Sequence, residues 1–338
     1  MVRLIPSIPQ QWFEDWPNIK LYPGALNDDI FKVLDQKKLE SLPVKQIWTK
    51  FPDCRNMTLI RHLESVYNEY KVWLKDTQLH KDFVNLTDDD PSKYPLALEL
   101  LKHYRKYVGP DFYTEVSQKG KEQGKLYGKL YADLIAAYPH IFPSLIVSSP
   151  YFRTRLTTHY FLKYIKGLDL DIDALLTTKK DMILWSFYGK DIVLKLADEL
   201  RERDHGRDVA PYYLFKYFES RNDINPLWYL SDEENDTLHY YTSPNGWESQ
   251  MAVNQRIKHA LESIMNDKHS NVLIITHHLA ILGALNTIFS GTINTFQNFD
   301  NNRKPQNGGL TLLSEIPKTE SWQENKFRVS AYNLSLAE

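Results

Sequence analysis

The sequence predicts an α/β protein whose mostly parallel central sheet is the middle layer of a three-layer α/β/α sandwich. Three short apolar runs indicate buried strands, at residues 57–60, 144–147 and 271–276. Each run ends in polar or charged residues, and each is followed by a segment with helical periodicity, which is typical of this architecture. Ligands bind at the carboxyl ends of strands in open α/β sheets, so these run ends are where functional residues are expected.

Composition limits the functional classes. The chain of 338 residues has a formal net charge of −2, which gives no basic field for nucleic acid and no basic stripe for a membrane surface. No apolar run approaches the ~20 residues of a transmembrane helix, and Pro6 and Pro9 interrupt the apolar residues that a signal peptide would need. The single Cys54 excludes an internal disulfide and suits a reducing compartment. We therefore expect a cytoplasmic protein with neither nucleic-acid nor membrane partners.

The predicted domain plan is one large domain behind a short extension. Residues 1–54 carry scattered Pro, Trp and charged residues, and we expect them to pack on the main domain. An oligomerisation arm, and hence a homo-oligomer, is the alternative for this extension. The main domain spans residues 55–338 and contains two inserted segments and an aromatic-rich cap made of helical insertions. The inserted segments are residues 76–114 and 160–195, and the cap is residues 207–246.

The first predicted strand ends in Arg61 and His62, and residues 61–68 read RHLESVYN. An imidazole at a strand end can act as a nucleophile, and an adjacent guanidinium can bind an oxyanion bidentately. The second strand leads through Ser148, Ser149 and Pro150 into a helix that carries Arg153 and Thr157. Arg155 would point to another face of that helix, so we expect it on the surface.

A long helix is predicted for residues 117–138, with glycines at every fourth position. Gly120, Gly124 and Gly128 therefore share one face. Three glycines inside a helix cost about 2–3 kcal/mol relative to alanine, which predicts a compensating close approach to the sheet or to another helix.

The third strand ends in His277 and His278, immediately before a helix. The start of a helix is an anion-binding place, because its backbone amides are free. Adjacent residues at a strand end point in opposite directions, and no third ligand has suitable spacing. The pair is therefore not predicted to bind zinc, and no metal site is expected.

Four elements in order resemble the motifs of the histidine phosphatase superfamily, the phosphoglycerate-mutase-like proteins. RHLESVYN resembles its Arg-His-Gly-Glu-Ser-x-x-Asn signature, with Leu63 in place of glycine. Ser148 to Thr157 resemble the element that carries the second phosphate-binding arginine, and Thr276-His277 resemble the second histidine element. Residues 199–206 resemble Glu-Leu-Arg-Glu-Arg-x-x-Gly, although a charged run by itself is normally a solvated face.

The resemblance implies a metal-independent phosphatase without cofactors that hydrolyses a small phosphorylated substrate through a phosphohistidine intermediate. It implies that His62 is the nucleophile and Glu202 the proton donor. Arg61, Arg153 and His277 would hold the phosphoryl group. Substrate-binding residues expected nearby are Ser65, Asn68 and His278.

Two other functions stay open on the sequence. A phosphoglycerate-type phosphomutase would need further basic residues in the cap, where the sequence offers few, chiefly Arg207, Lys216 and Arg221. A non-catalytic scaffold that recognises phosphate is consistent with Leu63 and the long insertions, but the complete set of catalytic residues favours an enzyme.

Overall fold

The computed structural model describes most of the chain from residue 55 onward. The described residues are 55–108, 111–137, 142–166, 172–177, 182–187, 190–203, 214, 217, 248–266, 269, 271–288, 304–315 and 327–334. The predicted extension, residues 1–54, lies outside them, as does the predicted cap, residues 207–246, apart from Leu214 and Tyr217.

A seven-stranded sheet with the order β3-β4-β2-β5-β1-β6-β7 forms the centre of the protein. The four neighbouring strands β4, β2, β5 and β1 are parallel, and antiparallel strands extend both sides. The strands are β1 (Asn56–Arg61), β2 (Leu145–Ser148), β3 (Met182–Phe187), β4 (Lys190–Leu196), β5 (Asn271–Thr276), β6 (Leu310–Glu315) and β7 (Phe327–Leu334). The predicted α/β class is confirmed.

Helices cover this sheet in pairs. They are α1 (Val66–Asp76), α2 (Gln78–Asn85), α3 (Lys93–Tyr107), α4 (Gln118–Ala137), α5 (Phe152–Leu162), α6 (Ile172–Thr177), α7 (Gln250–Asn266) and α8 (His278–Ile288). Helix α4 packs on α5, and α7 packs on α8. The connections from β1 to β2 and from β2 to β4 both lead toward the β3 edge of the sheet, whereas the connection from β4 to β5 leads back toward β1. Right-handed crossovers therefore place the two pairs on opposite faces.

The central strands are apolar along their whole length because helices bury both of their faces. All four residues of β2 are buried, as are five of the six in β1 and five of the six in β5. Their side chains join those of α7 and α8 in the main hydrophobic core. Only the carboxyl ends of these strands present polar groups, which is why the site residues lie there.

The glycine face of α4 lies against the residues that follow β1. A Cβ on Gly120 would lie 2.1 Å from the carbonyl oxygen of Glu64, and one on Gly128 would lie 2.0 Å from that of Tyr160. A Cβ on Gly124 would lie 2.7 Å from Cδ1 of Leu63. The predicted close approach is confirmed, and it explains how the fully buried Leu63 fits where the resembling family has glycine.

Residues 160–195 were expected to be an amphipathic, partly helical insertion, but the structure places two strands there. Helix α6 is present, yet β4 pairs in parallel with β2, and β3 pairs with β4. The sequence KDIVLKL of β4 buries Ile192 and Leu194 on alternate positions, which is strand periodicity.

The expectation that Arg155 lies on the surface is wrong. Its side chain is buried because its guanidinium satisfies backbone carbonyls at the end of the neighbouring elements. Nε donates to the carbonyl oxygen of Pro150 at 2.7 Å, and Nη1 donates to that of Leu176 at 2.9 Å.

Residues 76–114 form a small helical layer with its own core, which we call the insertion cluster. Helices α2 and α3 pack together and against α1. The insertion cluster consists of Tyr70, Leu74, Phe83, Ala97, Leu100, Tyr104, Val108, Leu214 and Tyr217. The rings of Phe83 and Tyr217 are 5.4 Å apart, so two residues of the predicted cap pack on this layer. None of the helices in the described ranges has the length and apolar character needed to cross a membrane.

Candidate active site

The carboxyl ends of three adjacent parallel strands bring the predicted catalytic residues together. Strand β5 lies between β1 and β2, so the residues after it hydrogen-bond to both sides. The backbone N–H of His62 donates to Thr276 at 2.9 Å, and that of Ser149 donates to Ile275 at 3.0 Å. His62, Ser149 and His277 are thereby fixed by the sheet itself.

The tautomer of His62 follows from its contact with the backbone. Its Nδ1 lies 2.7 Å from the carbonyl oxygen of Leu63. A carbonyl oxygen only accepts hydrogen bonds, so Nδ1 carries the proton and Nε2 keeps a lone pair. This is the arrangement that a nucleophilic imidazole requires.

Several contacts hold the turn after His62. Asn307 donates from Nδ2 to the carbonyl oxygen of His62 at 2.9 Å, and Thr157 accepts the N–H of Leu63 at 3.0 Å. Gly308 donates its N–H to the carbonyl oxygen of Arg61 at 3.1 Å. Its φ is +76°, and a Cβ there would lie 2.3 Å from the Tyr127 ring, so only glycine fits.

The second histidine is wholly buried beside the first. The ring centroids of His277 and His62 are 5.2 Å apart, and Nε2 of His277 lies 2.8 Å from Oγ of Ser149. Its Nδ1 lies 4.0 Å from a carboxylate oxygen of Glu202. The structure thus brings the predicted proton donor to the same site as both histidines.

Both histidines are neutral in this environment. Burial lowers the pKa of His62 well below its usual value, and the charges of Arg153 and Arg61 lower that pKa further. Burial also lowers the pKa of His277 well below its usual value, and the charges of Arg153 and of a protonated His62 add to the effect. A neutral His62 keeps its lone pair available at neutral pH.

Arg153 reaches the site from the first turn of α5, and a carboxylate holds one edge of its guanidinium. Nη1 donates to both the backbone oxygen of Asp111, at 2.7 Å, and to its Oδ1, at 2.9 Å. The Tyr151 ring lies 4.9 Å from the guanidinium carbon. The same Tyr151 ring lies 5.1 Å from the ring of His277, so Tyr151 links Arg153 to the buried histidines.

Arg61, the residue before His62, is anchored by a backbone carbonyl. Its Nη1 donates to the carbonyl oxygen of Pro305 at 2.6 Å. Its charge also lowers the pKa of His62. Two guanidinium groups beside two neutral imidazoles make a site suited to an anion.

Glu202 lies on a short loop that Arg256 of α7 holds in place. Arg256 donates to the backbone oxygens of Glu199, of Arg201 at 2.8 Å and of Glu202 at 3.2 Å. The carboxylate of Glu248 binds the same guanidinium through contacts of 2.6 and 2.8 Å. We call these contacts the Arg256 clamp. They fix the loop that carries Glu202, whose carboxylate lies near His277.

Three residues predicted to bind substrate have structural contacts in this part of the chain. Ser65 caps α1, and its backbone N–H and hydroxyl donate to Oδ1 of Asn68 at 3.1 and 2.8 Å. Nδ2 of Asn307 lies 3.3 Å from the same oxygen. His278 is the first residue of α8 and, when charged, lowers the pKa of His62. These contacts between Ser65 and Asn68 shape the turn after His62. That these residues contact the substrate stays a prediction.

Sequence reasoning missed Asp111, Asn307 and the clamp role of Arg256. Asp111 lies in the first insertion and Asn307 before β6, and neither belongs to a local motif. The role of Arg256 depends on the backbone oxygens of residues 199, 201 and 202, which lie more than 50 positions earlier in the sequence. Within the described ranges, no group of three or more His, Cys, Asp or Glu side chains is placed to hold a metal ion.

Comparison with known proteins adds to this geometry. Residues 188–334 match the family model described as the histidine phosphatase superfamily (branch 1). This match assigns residues 188–334 to the histidine phosphatase superfamily. The matched region includes Glu202 and His277 and begins after His62 and Arg153 in the sequence.

Solved structures resemble the whole described fold at low sequence identity. Mycobacterial hydrolase 1 superposes with a TM-score of 0.50 at 14% identity, covering 83% of this chain and 99% of its own. Mycobacterial glucosyl-3-phosphoglycerate phosphatase gives 0.48 at 13% identity, over 83% of this chain and 100% of its own. Bacillus stearothermophilus YhfR gives 0.49 at 14% identity, over 84% and 99%. The first likeness shows that this chain shares the fold of Mycobacterial hydrolase 1. A comparison with curated proteins found no match.

Proposed function

We propose that this protein is a phosphatase that hydrolyses a phosphomonoester through a phosphohistidine on His62. The observation that carries the proposal is the 2.7 Å contact between Nδ1 of His62 and the carbonyl oxygen of Leu63. It directs the lone pair of Nε2 away from the backbone, in a ring that burial and two arginines keep neutral. A structural histidine would need none of these features.

In the first step, Nε2 of His62 attacks phosphorus in line with the leaving oxygen. The new N–P bond forms as the P–O bond to the alcohol breaks, and Glu202 gives its proton to the leaving oxygen. Negative charge on the three equatorial oxygens is stabilised by the guanidinium groups of Arg61 and Arg153. His277 donates a hydrogen bond to the same group.

In the second step, water attacks the phosphohistidine. The Glu202 carboxylate accepts the proton that the water loses, and the N–P bond breaks to release phosphate. His62 regains its neutral form and Glu202 regains its proton, so one ester and one water give one alcohol and one phosphate. The arginines supply the positive charge, so the proposed reaction requires no metal or cofactor.

The test is phosphate release from an aryl phosphate in EDTA, comparing wild type with His62→Ala. His259 is exposed on α7, so His259→Ala is a matched control. We expect His62→Ala to lose at least about 10³-fold in kcat, because the nucleophile is gone. Denaturing wild type at alkaline pH during turnover of labelled substrate should trap labelled phosphohistidine, which is stable in base and is lost when the sample is acidified. Equal rates in wild type and His62→Ala would contradict the proposal.

A further inference from the structure

The short 3₁₀ turn Asp111–Tyr113, at the end of the first insertion, lies at the edge of the candidate site. Asp111 contacts Arg153 through its backbone oxygen and its carboxylate. The next residue, Phe112, places its ring 5.4 Å from the ring of Tyr151. Two consecutive residues of the turn therefore touch two residues that line the phosphoryl-binding end of α5.

Aromatic rings continue from the buried histidine to the protein surface. The centroid of Tyr151 is 5.1 Å from that of His277, and Phe112 and Tyr113 are 5.0 Å apart. Exposure rises along this row, from 0% at His277 to 39% at Phe112 and 66% at Tyr113. We call Tyr151, Phe112 and Tyr113 the aromatic row.

The aromatic row gives the site a polar inner end and an apolar outer end. A phosphoryl group at His62 would leave its ester oxygen and the attached alcohol pointing out of the buried pocket. Aromatic faces at that exit favour a planar ring, which gains stacking energy beyond the area it buries. Exposed aromatic side chains next to a polar pocket are also a common feature of ligand sites.

The charge on the same turn limits which ring fits. Asp111 is the only charged residue of Asp111–Tyr113, and its side chain is 19% exposed beside Arg153. A second anionic group on the alcohol would approach this carboxylate and be repelled. The turn itself provides no basic residue to offset the repulsion.

We infer that Asp111–Tyr113 and Tyr151 form a leaving-group subsite that selects phosphomonoesters whose alcohol is uncharged and carries an aromatic ring. This inference rests on the proposed phosphoryl site and adds the class of substrate. Phe112 and Tyr113 stack on the ring, and Asp111 both orients Arg153 and rejects a negatively charged substituent.

Binding of non-hydrolysable phosphonates to the full-length protein tests the subsite without requiring turnover. Calorimetry compares benzylphosphonate with methylphosphonate, which share the phosphoryl mimic and differ in the ring. We expect wild type to prefer benzylphosphonate about three- to ten-fold, as aromatic stacking predicts. Phe112→Ala and Tyr113→Ala should each reduce this ratio. Tyr94→Ala, at a tyrosine that is 42% exposed on α3, should leave the ratio unchanged.

The results separate this inference from the proposed function. Equal affinities for the two phosphonates in wild type, or an undiminished ratio in both Phe112→Ala and Tyr113→Ala, overturn the subsite alone. Failure of both phosphonates to bind overturns the phosphoryl site and the subsite together. Preferential binding of benzylphosphonate without any phosphate release would support the subsite and contradict hydrolysis.

A charged ligand tests the role of Asp111. Wild type should bind 4-carboxybenzylphosphonate several-fold more weakly than benzylphosphonate, because the carboxylates repel each other. Asp111→Asn also alters the contact with Arg153, but that change affects both ligands. The ratio between them isolates the repulsion, and we expect it to approach one in Asp111→Asn. A ratio that does not change would overturn the charge selection.

Discussion

The strand-end half of the candidate site and the half formed by the first insertion are held in different ways. His62 and His277 are buried at the ends of β1 and β5, and sheet hydrogen bonds fix the backbone at and around them. The insertion reaches the site through one ion pair, from Asp111, and through aromatic rings that are open to solvent. The first half holds His62 and His277 in buried positions, whereas the second adds a more exposed surface that reaches the site by holding Arg153 through Asp111.

The two halves also differ in their cores. The strand ends rest on the main core, whose strands are buried on both faces. The insertion rests on the smaller insertion cluster, which is rich in tyrosine and has exposed aromatic residues such as Trp73 and Tyr107 at its edge. Catalytic substitutions should therefore separate cleanly from changes in the insertion.

The largest predicted effect is at Arg153, where the two halves meet. Arg153→Ala should lower kcat/KM by about 10²–10³-fold, because a charged donor to the phosphoryl oxygens is removed. Arg153→Lys should recover only part of this, because lysine lacks the planar fork that Asp111 holds by one edge. Steady-state kinetics on the same aryl phosphate measure both, with exposed Lys102→Ala as the control for lost charge. Full activity in Arg153→Ala would remove Arg153 from the site.

Acid should weaken the strand-end half more than the insertion. His62 and His277 have folded-state pKa values below the unfolded value of about 6.5, so the unfolded chain binds more protons as pH falls. The free energy of unfolding is therefore highest above about pH 6.5, and it falls progressively as the pH decreases toward the lowered pKa values of the folded state. From pH 7.5 to 5.5 the two histidines should cost up to about 2–3 kcal/mol of unfolding free energy. Urea titrations at both pH values measure this.

A matched variant sharpens the pH experiment. His62→Gln removes one of the two buried imidazoles, so its loss of stability over the same pH range should be about half that of wild type. His259→Gln, at an exposed position, should behave as wild type does. An identical pH dependence in His62→Gln and wild type would contradict the neutral, buried state of His62.

Loosening the Arg256 clamp should affect catalysis moderately. Arg256→Gln removes contacts to three backbone oxygens around Glu202, and misplacement of an acid by about 1 Å can cost about 10²-fold. We expect kcat to fall by about 10–100-fold, with a smaller change in KM, because the acid acts in the transition state. An aryl phosphate with a very acidic alcohol should lose less, since its leaving oxygen needs little protonation. Equal losses for all leaving groups would show that the clamp is merely structural.

The smallest effect is expected within the insertion, away from the site. Asp88 pairs with Lys93 at 2.7 Å, but its side chain is 67% exposed. Asp88→Asn should cost under about 1 kcal/mol of unfolding free energy, as surface ion pairs do, and should leave kcat unchanged. Chemical denaturation and steady-state kinetics check this. A large loss of activity would mean that the insertion layer and the site are coupled.

The sequence predicted the parts of the site that depend on local pattern. Apolar runs ending in Arg61-His62 and His277 located the strand ends, and helical periodicity located the elements after them. Asp111 and Asn307 escaped prediction because their roles depend on partners that are near only in the folded chain. Strands β3 and β4 were not predicted because short, mixed segments such as KDIVLKL have only a weak strand periodicity. Arg155 was predicted to be exposed because it is charged, but its guanidinium is buried and donates hydrogen bonds to backbone carbonyl oxygens.

The position of β1 in the sheet has a consequence for how the protein is made. Asn56 pairs with Asn271 on one side and with Ser314 on the other, so both neighbours of β1 are strands that lie more than 200 residues later in the sequence. Such distant pairings fold slowly, because a long loop must close before any contact forms. During synthesis the early strand must wait, unpaired, until β5 and β6 have left the ribosome. A nascent or truncated chain that lacks them leaves the strand before His62 unpaired, so the proposed activity should appear only after β6 has been synthesised.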